Sequence, residues 1–163
     1  MTSTLVIKAD DLIGHPEKEH PFQGTRDVSL RLGDSTVTGP MAMKGTVRGT
    51  VDGVQATFTS TAVARMKCVR CLIEWDEELI ARGSQHFTKI PDEDGYALAE
   101  GEVDVGGPSM DELALSLPIA PVHDKNCMGL CPICGTDLNS QPCDGHEDGS
   151  DSPFAVLKDL FDS

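Results

Sequence analysis

The sequence predicts an α+β fold in which an antiparallel β-meander, open or closed into a barrel, carries a few short helices and a cysteine-rich C-terminal segment. Asp52-Gly53 separates two long stretches of alternating apolar and polar residues, a pattern typical of a β-hairpin. A helical stripe follows Ser109, and the six cysteines include two Cys-x-x-Cys pairs. Such pairs favour a metal site, so the C-terminal segment is expected to bind zinc through Cys and His.

Length and composition favour a single domain. With 163 residues, of which 39% are apolar, the chain can bury one ordinary core. We expect residues 1–138 to form the α+β domain, and residues 139–163 to add a polar zinc-binding turn and a C-terminal helix. Because apolar residues 5–7 are followed at once by Lys8 and two aspartates, the sequence predicts no secretory leader or membrane span and a cytoplasmic location.

The formal charge of −14 argues against one class of partner. Nucleic-acid binding by phosphate neutralisation needs clustered Lys and Arg on a basic surface. Residues 44–89 carry seven basic and five acidic residues, and the rest of the chain is strongly acidic. Any direct RNA binding is therefore expected to be weak or local.

The predicted strands lie in the first half of the chain. Residues 5–12 predict a first strand, and a polar loop through His15 and Pro21 follows it. Asp52-Gly53 predicts a tight turn, because Asp-Gly readily takes the positive φ angles that hairpins need. The second hairpin arm alternates strictly, and a third strand over residues 73–87 completes the meander. The apolar positions of the second arm are Val54, Ala56, Phe58, Ala62, Ala64, Met66 and Cys68.

The first hairpin arm alternates more weakly, and its glycines, Gly39, Gly45 and Gly49, suggest bulges or bends. Residues 91–107 hold six acids and four glycines, which predicts a mobile acidic loop.

Two helices are predicted after that loop. Ser109 and Glu112 form a capping box before an apolar stripe that stops at Pro118. Ser152 and Pro153 open a final helix, whose apolar face is expected to pack on its own domain. That face comprises Phe154, Leu157 and Phe161.

The cysteine pairs make structural zinc, one or two ions, the expected cofactor. A Cys-x-x-Cys turn holds two thiolates at the spacing of a tetrahedral zinc site, and a reducing cytosol disfavours disulfides. Cys68 and Cys71 follow the second hairpin arm, whereas Cys131 and Cys134 precede Gly135, which lets the backbone turn around an ion.

Two ligand pairings are consistent with these residues. A single ribbon-like site would combine both Cys-x-x-Cys pairs and leave two cysteines unused. Alternatively, His123 and His146 complete eight ligands for two sites. The first site would then contain Cys68, Cys71, His123 and Cys127, and the second Cys131, Cys134, Cys143 and His146. His15, His20 and His86 lie away from these clusters in the sequence and are expected on the surface or in loops.

A site with four protein ligands holds structure and leaves no position open for water or substrate. We therefore predict no catalytic residues and no enzyme activity, and a zinc hydrolase is disfavoured. A redox sensor that loses zinc when its thiolates are oxidised is the alternative function. Direct RNA binding along the predicted sheet, through Arg48, Arg65, Lys67 and Arg70, is a further rival, although few aromatic residues are available there for base stacking.

Specific motifs flank the first cysteine pair and continue along the chain. Cys68-Val-Arg-Cys71-Leu72 is followed by Gly101-Glu-Val-Asp104, and residues 113–127 join a helical stripe to Pro118, Pro121, His123 and Cys127. Together with residues 153–158, these motifs resemble the YceD family, the large ribosomal RNA subunit accumulation proteins. The resemblance extends over nearly the whole chain.

This resemblance implies the first of the two sites, with His123 and Cys127, and so favours two sites over the ribbon. The extension from Cys131 to Cys143 is similar to a subset of the family in which another cysteine closely follows. Here Asp144-Gly145-His146 takes that place, and His146 is the expected ligand.

The resemblance also implies a role in the accumulation or processing of large-subunit (23S) ribosomal RNA. With a charge of −14, the protein is expected to act through a basic ribosomal protein of the large subunit or a processing factor.

Overall fold

The computed structural model describes residues 5–91, 95–143 and 145–146. Within these ranges the chain is mostly β, with seven strands and one helix. The strands are β1 (Val6–Lys8), β2 (Glu19–Leu32), β3 (Ser35–Gly49), β4 (Gly53–Lys67), β5 (Glu74–Thr88), β6 (Tyr96–Ala97) and β7 (Glu102–Asp104), and helix α1 spans Gly106–Ser116. The predicted final helix lies outside the described residues.

The main sheet is a curled half-barrel with strand order β2-β3-β4-β5-β6. Strands β2 to β5 form an antiparallel meander, of which β3, β4 and β5 are the three predicted strands, and β6 adds in parallel to β5. Strands β1 and β7 pair separately as a two-stranded antiparallel sheet. No helix within the described ranges has the length and apolarity needed to cross a membrane.

The hairpin between β3 and β4 is confirmed, but its geometry differs from the prediction. Neither Asp52 nor Gly53 has a positive φ. Gly53 is needed instead because a Cβ there would collide with the carbonyl oxygen of Phe87 on β5. Gly39, with a φ of 123°, lies at the register break between β3 and β4, which confirms a bulge at that glycine.

The alternation of β4 determines the core. Its even-numbered side chains from Val54 to Met66 are all buried, and Leu113 and Leu117 of the α1 region belong to the same hydrophobic cluster. The helix approaches β5 closely at Gly83, where a Cβ would lie 2.7 Å from atoms of both Phe58 and Glu112. The sheet thus has one apolar face beneath α1 and one face exposed to solvent.

Two predictions in the first half of the chain are wrong. The polar loop holds only as far as residue 18, because the long strand β2 begins at Glu19 and includes Pro21. Its half-buried positions include Gly24 and Arg26, so that the apolar alternation expected of a strand is missing. The first strand is also shorter than predicted, because β1 ends at Lys8.

The acidic segment before the helix is also more regular than expected. Residues 95–107, predicted as a mobile loop, contain β6, β7 and the first residues of α1. The helix begins at Gly106 after Val105, whose side chain makes no capping hydrogen bond, and the Gly106 amide donates instead to Asp104 Oδ1 (2.9 Å). Ser109, predicted as the cap, is fully buried inside α1, and its hydroxyl has no hydrogen-bond partner among the described residues.

Candidate metal centre

The first Cys-x-x-Cys pair lies in the turn between β4 and β5. The Cys68 amide donates to the Ile73 carbonyl (2.8 Å), and the Leu72 amide donates back to the Cys68 carbonyl (2.9 Å). Leu72 closes this turn with a φ of 63°. Both thiols face the protein interior, since Cys68 is fully buried and Cys71 is 7% exposed.

His123 and Cys127 reach this turn from the segment after α1. The Val69 amide donates to the Pro121 carbonyl (3.0 Å), and the Arg70 guanidinium donates to the Cys127 carbonyl (3.0 Å). Cys127 Sγ lies 3.9 Å from Cys68 Sγ, and His123 Nδ1 lies 3.2 Å from Cys71 Sγ.

We call Cys68, Cys71, His123 and Cys127 the first cluster. Its four donor atoms all lie within 4.8 Å of one another. The three cysteines form a small buried group with Trp75, Val122 and Leu130 packed against it. The Trp75 ring meets His123 edge-on, with centroids 6.4 Å apart.

The thiols of the first cluster differ in acidity. Burial raises the pKa of Cys68, but hydrogen bonds from His123 and from backbone amides outweigh burial and lower this pKa to about 5. Burial and the neighbouring thiols raise the pKa of Cys71 to about 11. Without a cation, one ionised thiol therefore opposes the ionisation of its neighbour. A divalent cation would supply the charge that lets the thiols ionise together.

The second Cys-x-x-Cys pair repeats the hydrogen bonds of the first. The Cys131 amide donates to the Thr136 carbonyl (2.8 Å), and the Gly135 amide donates to the Cys131 carbonyl (2.9 Å). Gly135 has a φ of 73° and occupies the place that Leu72 takes in the first turn. The two turns are therefore the same local structure, built at two points of the chain.

Cys143 and His146 return to this second turn. His146 Nε2 lies 3.3 Å from Cys131 Sγ and 3.0 Å from Cys143 Sγ, and the Sγ atoms of Cys134 and Cys143 are 3.7 Å apart. We call Cys131, Cys134, Cys143 and His146 the second cluster; its donor atoms also lie within 4.8 Å of one another. Cys134 and His146 are exposed.

Neighbouring groups also shift the acidity of the second cluster. Hydrogen bonds from Thr136, and then from His146, lower the pKa of Cys134 to about 6. The thiols of Cys134 and Cys131 raise the pKa of His146. The amide of Gly145 favours the Cys143 thiolate, but burial and the other two thiols prevail and raise the pKa of Cys143.

The structure brings together all eight predicted ligand residues, in two groups. It separates the two Cys-x-x-Cys pairs, so the ribbon-like pairing does not form. Three sulfurs and one imidazole nitrogen per cluster are the donors of a structural zinc site, and both clusters could hold a metal ion. The remaining histidines lie elsewhere, with His15 beside Glu17, His20 beside Asp11 and His86 beside Asp52.

Sequence reasoning missed the residues that support the clusters. Asn139 donates from Nδ2 to Cys127 Sγ (3.7 Å) and accepts from the Met128 amide (2.8 Å). Thr136 Oγ1 lies 3.1 Å from Cys134 Sγ. Thr136 could have been suspected from its position two residues after a ligand, whereas no local pattern identifies Asn139.

The family model of the large ribosomal RNA subunit accumulation protein YceD matches residues 56–161, a range that includes both clusters. An uncharacterized protein of Mycobacterium tuberculosis is 33% identical over 109 residues, which cover 62% of this chain and 53% of that protein. An uncharacterized protein of Mycobacterium bovis matches with the same values.

A third uncharacterized protein, from Mycobacterium leprae, is 30% identical over 130 residues, which cover 75% of this chain and 59% of that protein. The chain thus spans between about half and three fifths of the length of these relatives. No solved structure matches it.

Proposed function

Because this chain belongs to the large ribosomal RNA subunit accumulation protein (YceD) family, we propose that it is a non-enzymatic, zinc-stabilised ribosome biogenesis factor. Its role is to support the accumulation or processing of large-subunit (23S) ribosomal RNA in the cytoplasm. The family match over residues 56–161 carries this proposal, since it includes β4 from Ala56 onward, β5, α1 and all eight cluster residues.

The donor set supports structural rather than catalytic zinc. Cys68, Cys71, His123 and Cys127 would hold one ion, and the second cluster would hold another. Four protein donors complete a tetrahedron and leave no coordination position for a substrate. Binding of such an ion contributes about 10 kcal/mol or more to folding, which is comparable to the net stability of a whole domain.

The distribution of charge supports a basic protein partner over RNA. On the exposed sheet face, Arg48 pairs with Glu19 (2.8 Å) and Arg65 pairs with Asp76 (3.0 Å). Arg70 is bonded to the Cys127 carbonyl. Three of the four basic residues considered above for direct RNA binding thus already donate to acceptors within the protein. The chain as a whole has a charge of −14. A basic ribosomal protein of the large subunit, or a processing factor, complements that charge.

Deletion of the gene tests the proposed function. We expect a lower ratio of large-subunit to small-subunit ribosomal RNA, or an accumulated large-subunit precursor, as measured by quantitative RNA blotting. The wild-type gene should restore the ratio and Cys68→Ser should not. Val51→Ser, at a position 88% exposed in the β3–β4 turn, is the matched control and should restore it. An unchanged ratio after deletion would contradict the proposal.

The partner is tested separately with the purified protein. Filter binding to large-subunit ribosomal RNA at physiological salt should give only weak retention. Tight binding whose affinity falls steeply with salt would instead indicate extensive phosphate contacts. The proposal of a basic protein partner would then be wrong.

Redox sensing is a second candidate, favoured by the exposure of the second cluster. Cys134 is exposed, and its sulfur lies 3.7 Å from that of Cys143. Oxidation of these two thiols to a disulfide, with peroxide reduced to water, would release the metal. Native mass spectrometry before and after mild peroxide treatment decides the matter, because retention of metal without disulfides removes this candidate.

A further inference from the structure

The two Cys-x-x-Cys turns differ in the residue that closes them. Both place this residue in the left-handed region, with Gly135 at a φ of 73° and Leu72 at a φ of 63°. Glycine takes this conformation freely, whereas the Cβ of leucine makes it unfavourable. The second turn shows that the hydrogen-bond pattern is compatible with glycine, so the turn itself does not require a leucine.

Leu72 gains little burial in exchange for this strain. Its side chain is 51% exposed, and the neighbouring Val69 and Ile73 are 42% and 46% exposed. A large apolar side chain that is both strained and exposed does not serve the folded chain alone. Strained backbone of this kind is commonly kept at sites of function.

The apolar surface continues onto the chain beside the second turn. The Leu130 amide donates to the Arg70 carbonyl (2.9 Å), and Gly129 lies against Arg70. On either side of this junction, Met128 and Ile133 are 67% and 68% exposed. Val69, Leu72, Ile73, Met128 and Ile133 define what we call the apolar patch. A group of exposed apolar residues marks a candidate interaction surface.

Carboxylates adjoin the apolar patch. Glu74, Glu77 and Glu78 follow Ile73 within five residues and are all exposed, as is Asp124. Arg70 and Lys125 are the exposed bases of the same two segments, and Arg70 is already bonded to Cys127. Lys67 lies opposite Glu74 on the neighbouring strand, so the four carboxylates outnumber three bases. The surroundings therefore favour a partner segment that carries positive charge.

We propose that the apolar patch, with Leu72 at its centre, is the docking surface for an apolar side chain within a basic segment of a protein partner. This inference rests on the proposed function, because the partner is the basic large-subunit protein inferred there. The strain at Leu72 is retained because the leucine contacts the partner.

The test uses the full-length, zinc-loaded protein and the purified basic proteins of a bacterial large ribosomal subunit. Fluorescence anisotropy measures the affinity of each pair. At least one basic protein should bind, and Leu72→Gly should weaken its binding by about tenfold or more, as expected for a central interface residue. Leu115→Ala is the matched control, since Leu115 is an exposed leucine on α1 (81% exposed), and it should bind like the wild type.

Measurements of stability and zinc content distinguish a docking role of Leu72 from a structural one. Because glycine relieves the strain, Leu72→Gly should keep its zinc content and a Tm at or above that of the wild type, and Leu72→Asn should do the same. A lower Tm or lost zinc in both variants would show that Leu72 serves the fold, which overturns the inference.

Other outcomes overturn the inference and separate it from the proposed function. If Leu72→Gly binds the basic protein as tightly as the wild type, the patch is wrong while the proposed partner stands. If Leu72→Gly dissociates a wild-type dimer in sedimentation, the occupant is a second copy. If only a chain ending at residue 146 binds, residues 147–163 occupy the patch. If no basic protein binds, the inference fails, and the ribosomal RNA ratio after gene deletion still decides the proposed function.

Discussion

The two clusters have the same donor set but differ in burial, with three of four ligands buried in the first cluster and one of four in the second. In the first cluster, Cys68 and Cys127 are buried and lie 59 residues apart in the sequence. In the second, Cys134 and His146 are exposed, and Cys131 and His146 are 15 residues apart. Identical ligand chemistry can thus serve two purposes. With the proposed zinc bound, the first cluster would fasten the segment after α1 to the turn between β4 and β5, whereas the second would close one local loop.

The difference in loop length has an energetic consequence. A cross-link stabilises a fold partly by restricting the unfolded chain, and the restriction grows with the length of the closed loop. The first cluster also extends the buried interior through Trp75, which packs against both the main core and the cysteines. Loss of metal from the first cluster should therefore affect the whole fold, and loss from the second only its own segment.

Cys68→Ser should have the largest effect. Serine is a poor zinc ligand, so the variant forfeits much of a binding free energy of about 10 kcal/mol, and a typical domain has only about 5–15 kcal/mol of net stability. We expect the variant to lose its cooperative thermal transition in calorimetry and its near-ultraviolet circular dichroism. A Tm within a few degrees of that of the wild type would remove the proposed distinction between the clusters.

Cys134→Ser should have a smaller and local effect. We expect elemental analysis to give about one zinc ion per chain instead of about two, while the main unfolding transition shifts by no more than about 3 °C. The reason is that the residues of the main hydrophobic cluster, which ends at Leu117, all precede the second cluster. If Cys134→Ser and Cys68→Ser unfold the protein equally, the second cluster is also part of the global fold.

Alkylation after partial chelation, which empties the exposed second cluster and leaves the first cluster loaded, should distinguish the thiols of the second cluster. The pKa of Cys134 is lowered from 9.0 to about 6, so its reactive thiolate is present above pH 6 and is lost as the pH falls through that value. Cys143 has a raised pKa and should react more slowly. We expect iodoacetamide to modify Cys134 first at pH 7, as located by peptide mass spectrometry.

The pH dependence supplies the control for that experiment. Between pH 7 and pH 5 the rate at Cys134 should fall about tenfold, whereas an ordinary thiol with a pKa near 9 should fall about a hundredfold from a much lower starting rate. Equal rates at Cys134 and Cys143 would contradict the assigned acidities.

The features that the sequence predicts correctly are those encoded in a local alternation of apolar and polar residues. The alternation of β4 gave the buried face, because every second side chain of a strand points the same way. Strand β2 was missed because its half-buried positions include His20, Gly24 and Arg26, which carry no apolar alternation. Burial there depends on β1 and β7, as the close approach of Leu5 to Gly24 and the pair formed by Arg26 and Asp104 indicate.

The same limit applies to the clusters. Each Cys-x-x-Cys turn is readable from its spacing, because its hydrogen bonds join residues at most five apart. The choice of partners for each turn is a tertiary property, and spacing alone left the ribbon and the two-site pairing open. The family resemblance favoured the grouping that the structure then formed, and neither source pointed to Asn139.

Asn139→Ala should have the smallest effect on metal content, since no ligand is removed, and it tests how far the clusters are independent. Asn139 follows the second turn, yet its side chain contacts Cys127 and Met128 of the first cluster and its flank. Loss of these hydrogen bonds should cost about 1 kcal/mol and lower the Tm by about 2–4 °C. Asn126→Ala is the control, because the described hydrogen bond of Asn126 uses its backbone amide only, and its Tm should be unchanged.

Zinc release from Asn139→Ala shows which cluster the side chain supports. With a colorimetric chelator, we expect the slow phase, assigned to the buried first cluster, to become several times faster, since supporting groups tune metal affinity by about 10-fold or more. The fast phase from the exposed second cluster should keep its rate. An accelerated fast phase with an unchanged slow phase would mean that Asn139 orders only its own segment. The two clusters would then be linked through backbone contacts such as the hydrogen bond from Leu130 to Arg70.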